Sequence, residues 1–394
     1  MLNPIDPTQL FGAGLERTAQ LEDLARKGLA RGLDHFEKSA YEKAAAEFAR
    51  ASRMVPNSET AFTAYKLLAQ SHLKRNDGDA AIEAYRQALR IAPRDAETHV
   101  AIGNIHYFEG RYDEALNAYA DAVKYNPSVN NRYSLGQGYL ATGKYDLALE
   151  QFERVRQMAP RRPFGEYGIG LALAKMGRGE EALKAFDRAL AVDPRYDEAL
   201  NEKGYVLADL GRFEEARAIA KDLEKRNPDK AAVLTLHIFK KEPPRIKAAA
   251  SSNFFPSIMG PRTRVANLSE YLMQPGGTHT FSMDFYFDKP MDPASVEDIL
   301  NWRIDRAPIT DPGGGYNFGL RSPETDIPLP PHPFSVVYDP QARSARVMFR
   351  IQQNDAGNGT LDPGHIRFTF TGQDRFGVSI STRADEYTGF SGIA

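Results

Sequence analysis

Residues 110–127 read GRYDEALNAYADAVKYNP, and that stretch decides the fold of more than half the chain. It opens on a glycine suited to a helix cap and continues with apolar residues spaced by three and four. It closes on a proline, which cannot continue a helix. The opening recurs as GKYDLAL at 143–149 and GRFEEAR at 211–217. The closing proline recurs as well: Pro56, Pro93, Pro127, Pro160, Pro194 and Pro228 lie 37, 34, 33, 34 and 34 residues apart. Aligned on those prolines, a small residue returns at Gly32, Ala69, Gly103, Gly136, Gly170 and Gly204. Twelve residues later a second small residue stands at Ala44, Ala81, Ala115, Ala148, Ala182 and Ala216. Four beyond that comes a large side chain in five copies, Phe48, Tyr85, Tyr119, Phe152 and Phe186. Three further on lies Ala51, Ala88, Ala122, Val155, Ala189 or Leu223. A period near 34 with two helical stripes per copy predicts a helical solenoid, the architecture of a scaffold.

These residues resemble the tetratricopeptide family over roughly residues 25–228, in six copies that keep one register. The sixth departs by placing Ala220 where the large side chain belongs; the second has three extra residues and the fourth lacks one. The resemblance implies twelve helices in six antiparallel pairs. Residues 229–241 (DKAAVLTLHIFKK) are expected as a capping helix that covers the last unit through Val233, Leu234, His237 and Ile238. The N-terminal segment, 1–24, begins a helix at 14–31 that caps the other end.

In this family the first helix of each pair faces a concave groove, and the register assigns the groove-facing residues. They are Lys66, Gln70 and Lys74; Asn104, Tyr107 and Phe108; Asn130, Tyr133 and Gln137; Phe164, Tyr167 and Leu171; and Asn201 and Tyr205. Amides hydrogen-bond an extended backbone, and aromatics bury area at modest entropy cost. Phe108 and Leu171 are the two expected to turn inward. Family members that grip a C-terminal carboxylate need Lys and Asn at fixed positions; Lys66 is present, but Gln70 and Ala101 stand where Asn is required. An internal segment or a folded partner is therefore expected.

After Lys241 the pattern changes. Residues 242–262 (EPPRIKAAASSNFFPSIMGPR) read as a linker. Beyond them period two takes over: Phe281, Met283, Phe285 and Phe287 alternate with polar neighbours, FSVVY (334–338) and ARVMFRI (345–351) flank a turn, and Ile366, Phe368 and Phe370 repeat the alternation. An antiparallel sandwich is expected over 263–394. Three segments resemble the bacterial Ig-like domain of S-layer and other surface proteins: FDKPMDPASV (287–296), YDPQARSARV (338–347) and LDPGHIRFTFTGQDRFG (361–377). The Gly/Pro-rich stretch 307–333 departs from that family as an insertion.

Composition bounds the function. Fifty basic and 52 acidic residues leave a net charge of −2, without the basic face nucleic-acid binding requires. Zero cysteine excludes disulfides and thiol chemistry. No apolar run reaches the ~18 residues of a membrane span. The start, MLNPIDPTQLF, lacks a basic stretch followed by an apolar core, so a cytoplasmic location is expected, with export by a signal-less route as the alternative.

Several motifs mimic chemistry. Gly138 to Lys144 imitates a phosphate loop but ends on Tyr145 where Ser or Thr is needed. His35, His72 and His106 occupy one repeat position, a repeat apart, too far to share an ion. Asn354, Asp355, Asn358 and Asp362 lack Ca²⁺-loop spacing. No cofactor and no metal is expected. The reading is a non-enzymatic scaffold that binds a protein or peptide, with the sandwich as a second interaction or anchoring module. The alternatives are a structural part of a bacterial surface or export apparatus and, remotely, an enzyme with its site in 307–333.

Overall fold

The computed structural model describes residues 7–252, 254–309 and 313–393. Helices fill the chain to residue 241. They are α1 (Pro7–Glu37), α2 (Tyr41–Met54), α3 (Glu59–Lys74), α4 (Gly78–Ile91), α5 (Ala96–Phe108), α6 (Tyr112–Tyr125) and α7 (Val129–Ala141). They continue as α8 (Tyr145–Met158), α9 (Phe164–Lys175), α10 (Gly179–Val192), α11 (Asp197–Asp209), α12 (Phe213–Glu224) and α13 (Pro228–Lys241). Helices α1 to α10 form five of the expected pairs, and α11 and α12 follow them in sequence. The N-terminal helix is longer than expected: nothing in the sequence breaks it, so the capping turns and the first repeat helix are one continuous α1.

The turn inside each repeat needs one left-handed residue, seventeen positions before the closing proline. Gly110, Gly143, Gly177 and Gly211 fill it with φ between 72° and 76°, and in the first two repeats Ser39 (φ 57°) and Asn76 (φ 60°) do so instead. Ser58, Asp77, Asp95 and Ser128 cap α3, α4, α5 and α7 by accepting a backbone N–H. The alternation of small and large residues is a physical interlock. A Cβ added to Gly32, Gly103, Gly136 or Gly170 would come within 2.4–2.6 Å of the ring of Phe48, Tyr119, Phe152 or Phe186. Ala44, Ala81, Ala115, Ala148 and Ala182 are fully buried. First helices of neighbouring repeats touch one another, α1 with α3, α5 with α7, α7 with α9 and α9 with α11. Among the described residues the second helices make no comparable contacts, so the first helices lie on the inside of the curve.

The rest is β-rich, with strands β1 (Ile246–Ser251), β2 (Thr263–Arg264), β3 (Thr278–Phe287), β4 (Trp302–Arg306) and β5 (Ser335–Asp339). They are followed by β6 (Ser344–Gln352), β7 (Thr360–Leu361), β8 (Ile366–Phe370), β9 (Glu386–Thr388) and β10 (Gly392–Ile393). Two antiparallel four-stranded sheets, ordered β1-β3-β6-β5 and β10-β9-β8-β4, face each other. Their shared core holds Phe285 against Trp302 and Phe368, and Phe287 against Phe370. A small β2–β7 ribbon completes the layer.

The stretch 242–262, expected as a linker, is corrected. It contains β1, which pairs with β3 from Ile246↔Phe287 to Ser251↔Met283. As an edge strand it needs only one inward face, and Ile246 with the later Phe255 supplies the apolar contacts that its alanines and lysine conceal. The boundary also moves. The chain divides into one compact unit reaching residue 210 with 221–228, and a second formed by 211–220 with 229 onward. The capping helix α13 therefore belongs to the β unit. Within that unit the buried Lys289 explains the association. Its ammonium pairs with Asp374 (2.6 Å), donates to the Glu242 carbonyl at the end of α13 (2.5 Å) and lies over the rings of Phe239 and Phe376.

Candidate functional site

Five first helices, α3, α5, α7, α9 and α11, carry the predicted groove residues. Gln70, Lys74, Asn104, Asn130 and Phe164 are exposed, while Lys66, Tyr107, Tyr133, Gln137, Tyr167, Leu171, Asn201 and Tyr205 are half-buried. Phe108 contradicts its expected inward turn: it is 86% exposed. It is the last residue of α5, past the point where the next repeat covers the helix.

At the α3–α5 end a cavity of about 450 Å³ opens between Leu73, Asn76, Ala101, Asn104, Ile105 and Phe108. Its walls combine apolar side chains with the amides of Asn76 and Asn104. Lys66 is not available to hold a carboxylate, because its ammonium pairs with Glu97 (2.5 Å) and Asp95 (3.6 Å). That engagement agrees with the missing Asn partners. Asn104 accepts from the Tyr119 hydroxyl (2.8 Å), which fixes its amide and leaves its N–H₂ side outward.

Along α7, α9 and the start of α11 the aromatics form a continuous row. Tyr133 meets Phe164 at 6.2 Å, Phe164 meets Tyr196 at 6.0 Å, and Tyr196 meets Tyr167 at 5.0 Å, all edge-to-face. Tyr133 and Tyr167 rest in turn on the core rings Phe152 and Phe186. Burial pushes the phenols of Tyr107, Tyr133, Tyr167 and Tyr196 upward. At Tyr167 the neighbouring Glu202 adds to the shift, and at Tyr196 the phenol of Tyr133 and then Glu198 do. These hydroxyls stay protonated at any physiological pH and serve as neutral donors. Gln137 donates to the Tyr133 hydroxyl (3.0 Å). The Asn201 amide oxygen is buried without a hydrogen-bond partner among the described residues.

Tyr196 was missed by the register because it precedes α11 and belongs to no helical stripe. The available signal was its position two residues after Pro194, where the turn brings a bulky side chain back over the preceding repeat.

The sequence mimics resolve into structure. Gly138 lies inside α7, which runs on to Ala141, and Gly143 occupies the left-handed turn. Asn354 and Asn358 bond each other's amide and backbone, whereas Asp362 is buried and accepts from Asn317 N–H (2.7 Å) in the 307–333 insertion. No three His, Asp or Glu side chains converge among the described residues.

A family model described as a tetratricopeptide repeat matches residues 100–163 and again 167–231, and one described as a TPR repeat matches 69–108. Among curated proteins, DnaJ homolog subfamily C member 7 of Homo sapiens is 28% identical over 141 residues, 32% of this chain and 28% of its own length. Superkiller protein 3 of Saccharomyces cerevisiae is 24% identical over 106 residues, 27% of this chain and 7% of its own. The chain thus spans less than a third of the length of these relatives. Among solved structures, a tetratricopeptide repeat protein from Parabacteroides merdae aligns over 55% of this chain and 86% of its own, with TM-score 0.51 and 16% identity, a likeness of fold.

Proposed function

We propose that this tetratricopeptide-repeat array is a non-catalytic scaffold that holds an extended protein segment along the first helices from α3 to α11. The observation that carries the reading is the row from Tyr133 through Phe164 and Tyr196 to Tyr167, flanked by the exposed amides of Asn104 and Asn130. Rigid aromatics with protonated hydroxyls supply contact area and backbone hydrogen bonds together. Phe108 and Phe164 are the side chains that offer most surface without carrying the core, which makes them the anchors to test. Changing both to Ser should weaken a partner recovered on the immobilised full chain by roughly 30-fold, since truncating an interface aromatic commonly removes ~2 kcal/mol or more. Unchanged affinity in the titration would remove the groove from consideration.

We read the β unit as an Ig-like module of the surface-protein type. Support comes from the way its resembling segments meet. Lys289 of FDKPMDPASV pairs with Asp374 of the D-x-x-G turn, and Met291 N–H donates to the Tyr338 hydroxyl of the YDP hairpin (2.9 Å). Its role is a second interaction or anchoring site.

A further inference from the structure

We propose that one end of the β unit docks on an anionic lipid surface. This rests on the β unit alone and does not depend on the groove. Strand β4 ends, β8 begins and the β9–β10 turn lies at the same end of one sheet, as the antiparallel registers Arg306↔Ile366 and Phe368↔Tyr387 require. Three loops gather there around the turn 363–365. Gly364 N–H donates to the Met259 carbonyl (2.7 Å), and Phe390 N–H donates to the Gly364 carbonyl (2.9 Å). The His365 ring lies between Phe318 (5.3 Å) and Phe390 (4.7 Å).

These loops present Ile258, Met259, Ile309, Phe318, Leu320 and Phe390, each between 41% and 85% exposed. Single exposed apolar residues are ordinary, but six on adjoining loops form a patch of the kind that marks an interaction surface. The patch is held in place. Asn317 and Phe318 both have left-handed backbones (φ 51° and 54°), a strained state for a bulky residue, and the buried Asp362 fixes Asn317 N–H. Phe254, also left-handed (φ 51°), is a further exposed aromatic on the first of these loops.

Charge selects the occupant. Arg262, Arg264 and Arg321 lie on the same loops as Ile258, Met259 and Leu320, and make no ion pair among the described residues. The described carboxylates of the insertion are Glu324 and Asp326, and Asp326 is already held by Arg306 (2.6 Å). Apolar tips on loops that also carry arginines without an ion pair among the described residues match a bilayer face, where tips enter the headgroup boundary and guanidinium groups meet phosphates.

The test is co-sedimentation of the full chain with vesicles in which phosphatidylglycerol makes up about a third of the lipid, beside pure phosphatidylcholine vesicles. The chain should partition onto the anionic vesicles. R262Q with R321Q should reduce that partitioning by roughly 30-fold, from two lost surface charges. I258S with L320S should reduce it by more than about tenfold. All four positions are exposed, and Trp302 emission checks the fold of each variant. No partitioning of the parent, or partitioning equal in parent and both variants, would overturn the proposal. Concentration-dependent self-association abolished by I258S with L320S, without vesicle binding, would overturn it in favour of a second copy of the chain.

Discussion

At the scale of single residues, the solenoid depends on where side chains are absent. Gly136 leaves room for the ring of Phe152, and Ala148, fully buried, sets the distance between paired helices. Interiors are close-packed, so one added branch has nowhere to go. Ala148→Leu should lower stability by ~1–3 kcal/mol, read from the midpoint of helical ellipticity in urea. Ala120→Leu, on the exposed side of α6, should stay within ~0.5 kcal/mol of the parent. Equal losses at the two positions would mean that the small–large interlock is not what sets the packing. This layer was legible in the sequence because each repeat restates it. The left-handed turn residue was legible only where it is glycine. Ser39 and Asn76 meet the same backbone demand with residues that also occur freely elsewhere.

At the scale of elements, a strand is legible in sequence where both faces differ strongly and hidden where one buried face suffices. Strands β3, β6 and β8 bury alternate large residues and announce themselves. Strand β1 exposes most of its side chains, so IKAAAS carries no alternation to find. Lys289 was equally hidden: a lysine beside PMDP reads as surface, yet it is buried against Asp374 and the end of α13. Removing one partner of a buried pair strands the other charge, which commonly costs about 3–5 kcal/mol. Lys289→Met should therefore destabilise the β unit by that order. The chain's single tryptophan, Trp302, is buried in the β core, so its fluorescence reports this unit while ellipticity reports the helices. Coupling Lys289→Met with Asp374→Asn should recover part of the loss. A Lys289→Met protein whose fluorescence midpoint matches the parent would remove the pair from the account.

At the scale of the whole molecule, the stretch that composition suggested as an irregular linker holds strand β1. Contact, not composition, defines the units: α13 follows the repeats in sequence, yet its Phe239 packs on Phe376 in a turn of the β unit. Groove geometry was partly legible, since one register placed fourteen candidate residues on five first helices. Which of them stand open was not, because exposure depends on how far each helix outruns its neighbour; Phe108 projects and Tyr133 sinks onto Phe152. The central claim is that the inner face of the array is the binding face. A photo-reactive phenylalanine placed at Phe164, on that face, and separately at Glu153, exposed on the second helix α8, tests it in the full chain within the producing cell. The account predicts a discrete cross-linked adduct from position 164 and none from 153; adducts from 153 alone, or the same adducts from both, would contradict it.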